Sequence, residues 1–268
     1  MKKDSKNKIL NQHLASLISK YSQSNVLDEL AKAHNNIPIQ TLPTEDIIDN
    51  YFVRKVILTP DKLKSFIENY QRNILLEPLV VRARDEKYEV IIGRKRLAAA
   101  KLAKITSIPV IVMNYNDEET LLILLAKFRD SQAGSVLELA YIFNRLVKDF
   151  GYSHQSLAKL AITSRPQVTN TLRILRLPPN ALKALNLEQI SFGHARALVT
   201  LEQENVDHYL DLIVKNKLSV RELEAILNKD GDKAFYKEDK YVIVNKNKVT
   251  IVFENEDSAA EFVKLKLK

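Results

Sequence analysis

The sequence contains no cysteine, which excludes disulfides, thiolate metal sites and cysteine nucleophiles. Only five glycines and eight prolines occur in 268 residues. So few turn-formers suit a mainly helical chain with few elaborate loops. No apolar run reaches the ~18 residues that a membrane-spanning helix requires. The first eight residues, MKKDSKNK, are basic and lack the apolar core of a secretory signal, so a soluble intracellular protein is expected. The GK[ST] arrangement of a phosphate-binding Walker loop is also missing. Histidine is sparse: His13, His34, His154, His194 and His208 are scattered. None has metal-ligand spacing or a serine and carboxylate beside it, so no metal site and no catalytic residue is assigned. Each reads as a surface or capping residue, with His194 placed to orient the helix it begins.

What the chain does have is apolar content and positive charge. At 30.7 kDa and 46% hydrophobic residues it can bury a substantial core, and its length implies two or three domains. A net charge of +8 and a pI near 9.4 favour a polyanionic partner, without separating DNA from RNA or from a membrane surface.

The most informative stretch is 153–177, SHQSLAKLAITSRPQVTNTLRILRL. Leu157, Leu160 and Ala161 recur at helical spacing behind a candidate N-cap, Ser153, and Ala158 is small where a partner helix must cross closely. Ile162-Thr163-Ser164 makes a turn, with isoleucine where such turns often carry glycine, which predicts a wider turn. Ser164 with Gln167 forms a capping box, Pro166 fits a helical first turn, and Arg165 is an alternative cap. Val168, Leu172 and Leu175 face inward. That leaves Arg165, Gln167, Thr169, Asn170 and Arg173 outward, side chains able to reach base edges and phosphates. The pattern is that of a helix-turn-helix; the competing reading is a merely solvated helical hairpin.

Elsewhere the texture changes along the chain. Residues 1–36 are a basic segment with an amphipathic helix over 9–21. Its apolar stripe (Leu10, Leu14, Leu17, Ile18, Tyr21) suits docking on the next domain or a partner protein, and a membrane surface is the lesser alternative. Residues 37–130 alternate strands and helices, an α/β domain with a hairpin turning at 84–87. One strand there ends at Gly93 and runs into a helix opening Arg94-Lys95-Arg96, where a phosphate could meet free N–H groups; the alternative is a solvated basic first turn. Helical periodicity holds through 131–227, with breaks at Gly151, Pro178-Pro179 and before Gly193. Arg173, Arg176, Arg196 and Arg221 are candidates for a phosphate-positioning rim. A polar linker, 228–239, precedes a ββα unit over 240–268, too small to fold alone. It either pairs with a second copy as a dimerisation domain or packs on its own N-terminal domain.

In this order the chain resembles the ParB/Spo0J family of chromosome and plasmid partitioning proteins. The segment IPIQTLPTEDIIDNYFVRK is similar to the family's N-P-x-Q-P-R region through Asn50 and Arg54, and EPLVVR to its Q-P-I-x-V-R box through Pro78, Val81 and Arg82. YEVIIGRKRLAAA lies where G-E-R-R-x-R-A is expected, while the helix-turn-helix, SFGHARAL and LSVRELE follow the central domain. The resemblance implies a site-specific DNA-binding homodimer, cytoplasmic and nucleoid-associated. It would read a palindromic centromere-like site on double-stranded DNA and act in segregation with a ParA-type ATPase. Its DNA-binding residues would be Ser164, Arg165, Gln167, Thr169, Asn170, Arg173 and Arg196. It also implies CTP in the α/β domain, held by Arg82, Gly93, Arg94, Lys95 and Arg96.

The departures fall in the nucleotide boxes. Arg94, Lys95 and Ala98 replace the acid, first arginine and last arginine of G-E-R-R-x-R-A. The family's E-N-x-Q-R falls without gaps on Lys127, Phe128, Arg129, Asp130 and Ser131, although a shifted alignment would use Asp130 or Glu138. A lysine can be neither carboxylate base nor Mg²⁺ ligand. The expectation is therefore a DNA-binding protein rather than an enzyme, without Mg²⁺ chemistry. The alternatives are a CTP-hydrolysing DNA clamp and a nucleoid-occlusion relative that tethers DNA to the membrane.

Overall fold

The computed structural model describes residues 38–72, 77–131, 134–229, 240–245 and 248–253. The chain divides into two compact units that part between Leu175 and Arg176. The N-terminal segment expected over 1–36 and the helix expected after Asp257 lie outside the described residues.

In the first unit, β1 (Gln40–Pro43), β2 (Ile47–Ile48), β3 (Leu79–Arg84), β4 (Lys87–Ile92) and β5 (Ser107–Met113) form one sheet in the order β1-β5-β3-β4-β2. It is mixed: β3 is parallel to β5 and antiparallel to β4. The central position of β3 follows from its sequence, because Leu79, Val80 and Val81 are a continuous apolar run that suits burial on both faces. The β3–β4 hairpin turns where expected, with Asp85 in the left-handed region (φ 54°). The two-residue β2 was not anticipated; at that length it carries no periodicity to read.

Helix α1 (Pro60–Gln71) packs on α2 (Arg94–Leu102), and Leu97 and Ala100 of α2 join Leu79, Val81, Val90 and Val110 in one apolar layer. A second layer is built from α3 (Asp117–Ser131), α4 (Val136–Phe150), α5 (His154–Leu160) and α6 (Arg165–Arg173). Leu121, Leu125, Phe143, Leu146, Leu157 and Val168 interlock there with Phe52 and Ile91 from the sheet side. At ~1.5–3 kcal/mol for each large side chain removed from water, this layer binds the helix-turn-helix into the first unit. The two compact units part inside the helical region expected over 131–227, whose first helices share a core with α3 and the sheet side.

The second unit contains α7 (Pro179–Asn186), α8 (Phe192–Leu198), α9 (Gln203–Asn216), α10 (Val220–Lys229) and an antiparallel hairpin, β6 (Lys240–Asn245) with β7 (Lys248–Phe253). Scarcity of glycine shows in how helices end. Lys104, Ile162 and Glu188 all take left-handed φ at helix C-termini, with values of 57°, 50° and 60°. At each, the paired backbone bonds of a Schellman motif close the helix, as in Ile162 N–H to Lys159 O (3.3 Å) and Thr163 N–H to Ala158 O (2.9 Å).

Candidate functional site

The helix-turn-helix is α5 and α6 joined by a tight turn. Ser153 Oγ accepts from Ser156 N–H (3.0 Å) and Ser164 Oγ from Gln167 N–H (3.3 Å), so Ser164 is the cap of α6 and Arg165 its first residue. The turn is not wide. Ile162 enters the left-handed region itself and leaves its side chain 70% exposed. A β-branched residue is poorly suited to that conformation. Ile162→Gly is accordingly expected to stabilise the protein by about 0.5–1 kcal/mol, glycine's greater unfolded-state entropy offsetting part of the relief. Urea unfolding measures this; unchanged or reduced stability would show that the turn is not strained.

On α6, Val168 and Thr171 are buried, while Leu172 is only partly so. Arg165 and Gln167 are exposed, and Asn170 and Arg173 half-exposed. Thr169 differs from its neighbours. Its hydroxyl lies 2.9 Å from His154 Nδ1 and donates to Arg165 O at 3.1 Å, tying α6 to α5. His154, read as a surface or capping residue, is therefore part of the helix-turn-helix joint. In the second unit, Arg196 is exposed on α8, 3.6 Å from Glu224. His194 does set the start of that helix: Ser191 Oγ accepts from His194 N–H, and His194 Nδ1 accepts from Ser191 N–H at 3.1 Å. Burial holds the His194 ring below its ordinary pKa, which keeps Nδ1 available as that acceptor.

The second feature is a cavity of about 380 Å³ in the first unit, beneath the start of α2. Gly93 has φ +99° and a Cβ there would strike the Leu79 side chain, so the backbone bends into α2 in a way that glycine alone accepts. No side chain caps α2, whose first turn carries Arg94, Lys95 and Arg96. With Lys127 from α3 the wall holds four cations, against the carboxylates Glu77 and Glu138.

The predicted nucleotide residues separate into two groups. Gly93, Lys95 and Arg96 line the cavity. Arg96 also donates to the carbonyls of Glu77 and Pro78, and burial lowers its pKa against the opposing charge of Glu77. Arg94 lines the same wall, but its guanidinium is engaged on several sides. Nε bonds Asp49 Oδ1 (2.7 Å), Nη2 bonds Asp49 Oδ2 (2.8 Å) and Val56 O (2.7 Å), and Nη1 bonds Glu138 (3.0 Å). It is a clamp between the 49–56 loop and α4. Arg82 is absent from the cavity lining. Its Nε meets Glu89 at 2.7 Å, Nη1 meets Tyr115 O and Nη2 meets Asp117.

Asp49 and Asn50 were not identified as site residues. Asn50 lines the cavity and is 1% exposed, its amide bonded to Val90 O at 3.0 Å. Asn50 belongs to the stretch that resembles the N-P-x-Q-P-R region, but the contacts of both residues reach across some forty residues of sequence. Of the alternative carboxylates, Glu138 lines the cavity, whereas Asp130 pairs with Arg129 at 2.7 Å.

Comparison with known proteins divides the chain near the end of α3 rather than after Leu175. Residues 27–127 match the family profile of the ParB N-terminal domain and residues 133–231 that of the ParB HTH domain. The chain is 30% identical over 227 residues to a probable chromosome 1-partitioning protein ParB of Deinococcus radiodurans, covering 85% of this chain and 77% of that one. It is 30% identical over 190 residues to a nucleoid occlusion protein of Shouchella clausii, covering 70% and 67%. Among solved structures it is similar to a C-terminally truncated ParB from Caulobacter crescentus complexed to the centromeric parS site, with 26% identity, a TM-score of 0.43 and coverage of 71% and 99%.

Proposed function

Since this chain belongs to the ParB family of chromosome-partitioning proteins, we propose that it is a site-specific DNA-binding partition protein reading a palindromic centromere-like site on double-stranded DNA. The observation that carries this reading is the exposed face of α6, built from Arg165, Gln167, Asn170 and Arg173 and fixed to α5 by the His154–Thr169 bond. In this reading α6 enters the major groove. Its N-terminal residues meet base edges, Ser164 and Arg173 position the helix on the backbone, and Thr169 holds α6 to α5. Arg196 on α8 serves as a further phosphate contact, and an arginine so exposed adds affinity that falls with salt.

The finer assignments are part of the same proposal. The protein acts as a homodimer through residues 240–268, in keeping with a two-fold symmetric site. Residues 1–36 meet a ParA-type ATPase, 37–130 hold a nucleotide, 131–227 read DNA and 228–239 link the two ends, in a cytoplasmic protein gathered on the nucleoid. CTP fits the basic cavity: Lys95, Arg96 and Lys127 face its phosphates, Gly93 permits close backbone approach, and Arg94 keeps the wall in place. Bound CTP would supply a fixed triphosphate and no reacting group of the protein. No carboxylate base is assigned, and the reading remains that of a binding protein rather than an enzyme. A nucleoid-occlusion role, favoured by the likeness to the Shouchella clausii protein, shares the DNA-reading core and differs in what residues 1–36 contact.

Genome-wide immunoprecipitation of bound DNA, run beside Arg173→Ala, tests the proposal. Sharp peaks over a shared palindrome are expected, falling ~fivefold or more in the variant for a side chain worth about 1–3 kcal/mol. Uniform occupancy that ignores the substitution would overturn it.

A further inference from the structure

The cavity beneath α2 does not suit the divalent metal that usually accompanies a nucleoside triphosphate. Magnesium takes six oxygen ligands in a strict octahedron, commonly one or two carboxylates with phosphates and water. The cavity offers Glu77 and Glu138. Glu77 is 89% exposed at the rim, 3.5 Å from Arg96. Glu138 is held by the Arg94 guanidinium at 3.0 Å, which places a fixed cation where the metal would have to approach. Among the described residues no group of three or more acidic or histidine side chains could hold a metal ion. A dication would also enter a wall that already carries four cations against two carboxylates.

Lys127 is one of these four cations. It comes from α3, on a different element from the Arg94-Lys95-Arg96 turn, and lines the same cavity. Its pKa is lowered, chiefly by burial; Glu138 opposes that shift, and Arg96, Lys95 and Arg94 add to it. Such a desolvated ammonium among like charges gains from any polyanion placed between them. A lysine head is a compact point charge with three donors, closer to a metal ion in shape and charge density than a guanidinium is.

Building on the nucleotide reading of this cavity, on which the inference rests, we propose that it binds the triphosphate of a nucleoside triphosphate without a divalent metal, with the Lys127 ammonium supplying the cation that bridges the phosphates to α3. Lys95 and Arg96 hold the opposite side, and Arg94 with Glu138 locks the wall. No bond to phosphorus is made or broken; the nucleotide is held rather than consumed.

Equilibrium titration of the full chain with CTP and with inorganic tripolyphosphate, each in EDTA and in Mg²⁺, tests this. Wild-type affinity for CTP is expected to be the same within ~twofold in both buffers. Lys127→Gln is expected to lose about tenfold or more in EDTA, since each tenfold is about 1.4 kcal/mol, whereas Lys127→Arg, which keeps the charge without the compact head, is expected to lose less than the glutamine variant. Unchanged thermal melting of the glutamine variant assigns its loss to binding rather than folding; should that variant unfold, the arginine variant and the buffer comparison still decide. Loss of wild-type binding in EDTA, or full affinity in Lys127→Gln, would overturn the proposal. Tripolyphosphate binding that needs Lys127, with no CTP binding, would leave the metal-free phosphate site standing and defeat the nucleotide reading. No binding of either probe would defeat both.

Discussion

Arg82→Met is expected to destabilise the first unit by about 3 kcal/mol, the lower end of the cost of breaking a buried ion pair by removing one partner. Arg82 is 5% exposed and Glu89 is fully buried, and the guanidinium reaches Glu89, Tyr115 O and Asp117 within 3.1 Å. Glu89 also accepts from Tyr51 N–H at 2.6 Å and from Arg84 at 3.1 Å, so a residual partner survives and the larger values for a fully orphaned charge do not apply. Urea unfolding should show the midpoint fall with an unchanged slope. Adding Glu89→Gln in the same chain should recover part of the loss, because a neutral amide in that site costs less than an under-paired carboxylate. The result bears on function. If Arg82 acts through β3, β4 and the start of α3, nucleotide affinity in the variant falls only as far as folding does. A folded, fully stable Arg82→Met that loses nucleotide would return Arg82 to the binding residues.

Gly93→Ala is the second large effect, with an expected cost of about 2–6 kcal/mol. Two terms add: a non-glycine residue in a left-handed backbone costs ~1–3 kcal/mol, and an extra methyl driven into a packed core costs ~1–3 kcal/mol. Gly93 has φ +99° and its added Cβ would meet the fully buried Leu79 side chain, with Arg96 also close. Gly151 is an internal control. It has φ +70° but open space where a Cβ would stand, so alanine there carries only the backbone term. Equilibrium unfolding of the two variants side by side measures the difference. Equal costs at both positions would mean that Leu79 gives way and that the cavity roof is softer than its packing implies. Because Gly93 also sets the start of α2, the folded fraction of Gly93→Ala should bind tripolyphosphate more weakly than wild type.

Local chemistry makes much of this protein legible in its sequence. The apolar run Leu79-Val80-Val81 announces a central strand, Ser153 and Ser164 announce helix starts, and Pro166 confines the second to a first turn. These signals reside in a few adjacent residues and in spacings that a helix or strand repeats, so they do not depend on distant partners. The outward set on α6 is legible for the same reason: once Val168 faces inward, helical geometry assigns the neighbours. Even the shortage of glycine is informative, although its consequence is not a lack of turns but the use of Lys104, Ile162 and Glu188 in backbone conformations glycine would accept more easily.

Which cations can meet a ligand is not legible there, because sequence shows a charge but not its partner. Arg82, Arg94, Lys95 and Arg96 look alike as basic residues beside strands. Only folding brings Asp49 and Glu138 to Arg94, and Glu89 and Asp117 to Arg82, across separations that carry no periodic signal. Thr169 is the same case in miniature, an outward residue whose hydroxyl is already taken by His154. Sequence by itself determined the order of elements and the outward face of α6, since these follow from local propensity and hydrophobic period, and it carried the motifs through which the chain resembles its family. Tertiary structure alone decided which charges neutralise one another and which are left facing the cavity, since that depends on distances between residues far apart in the chain.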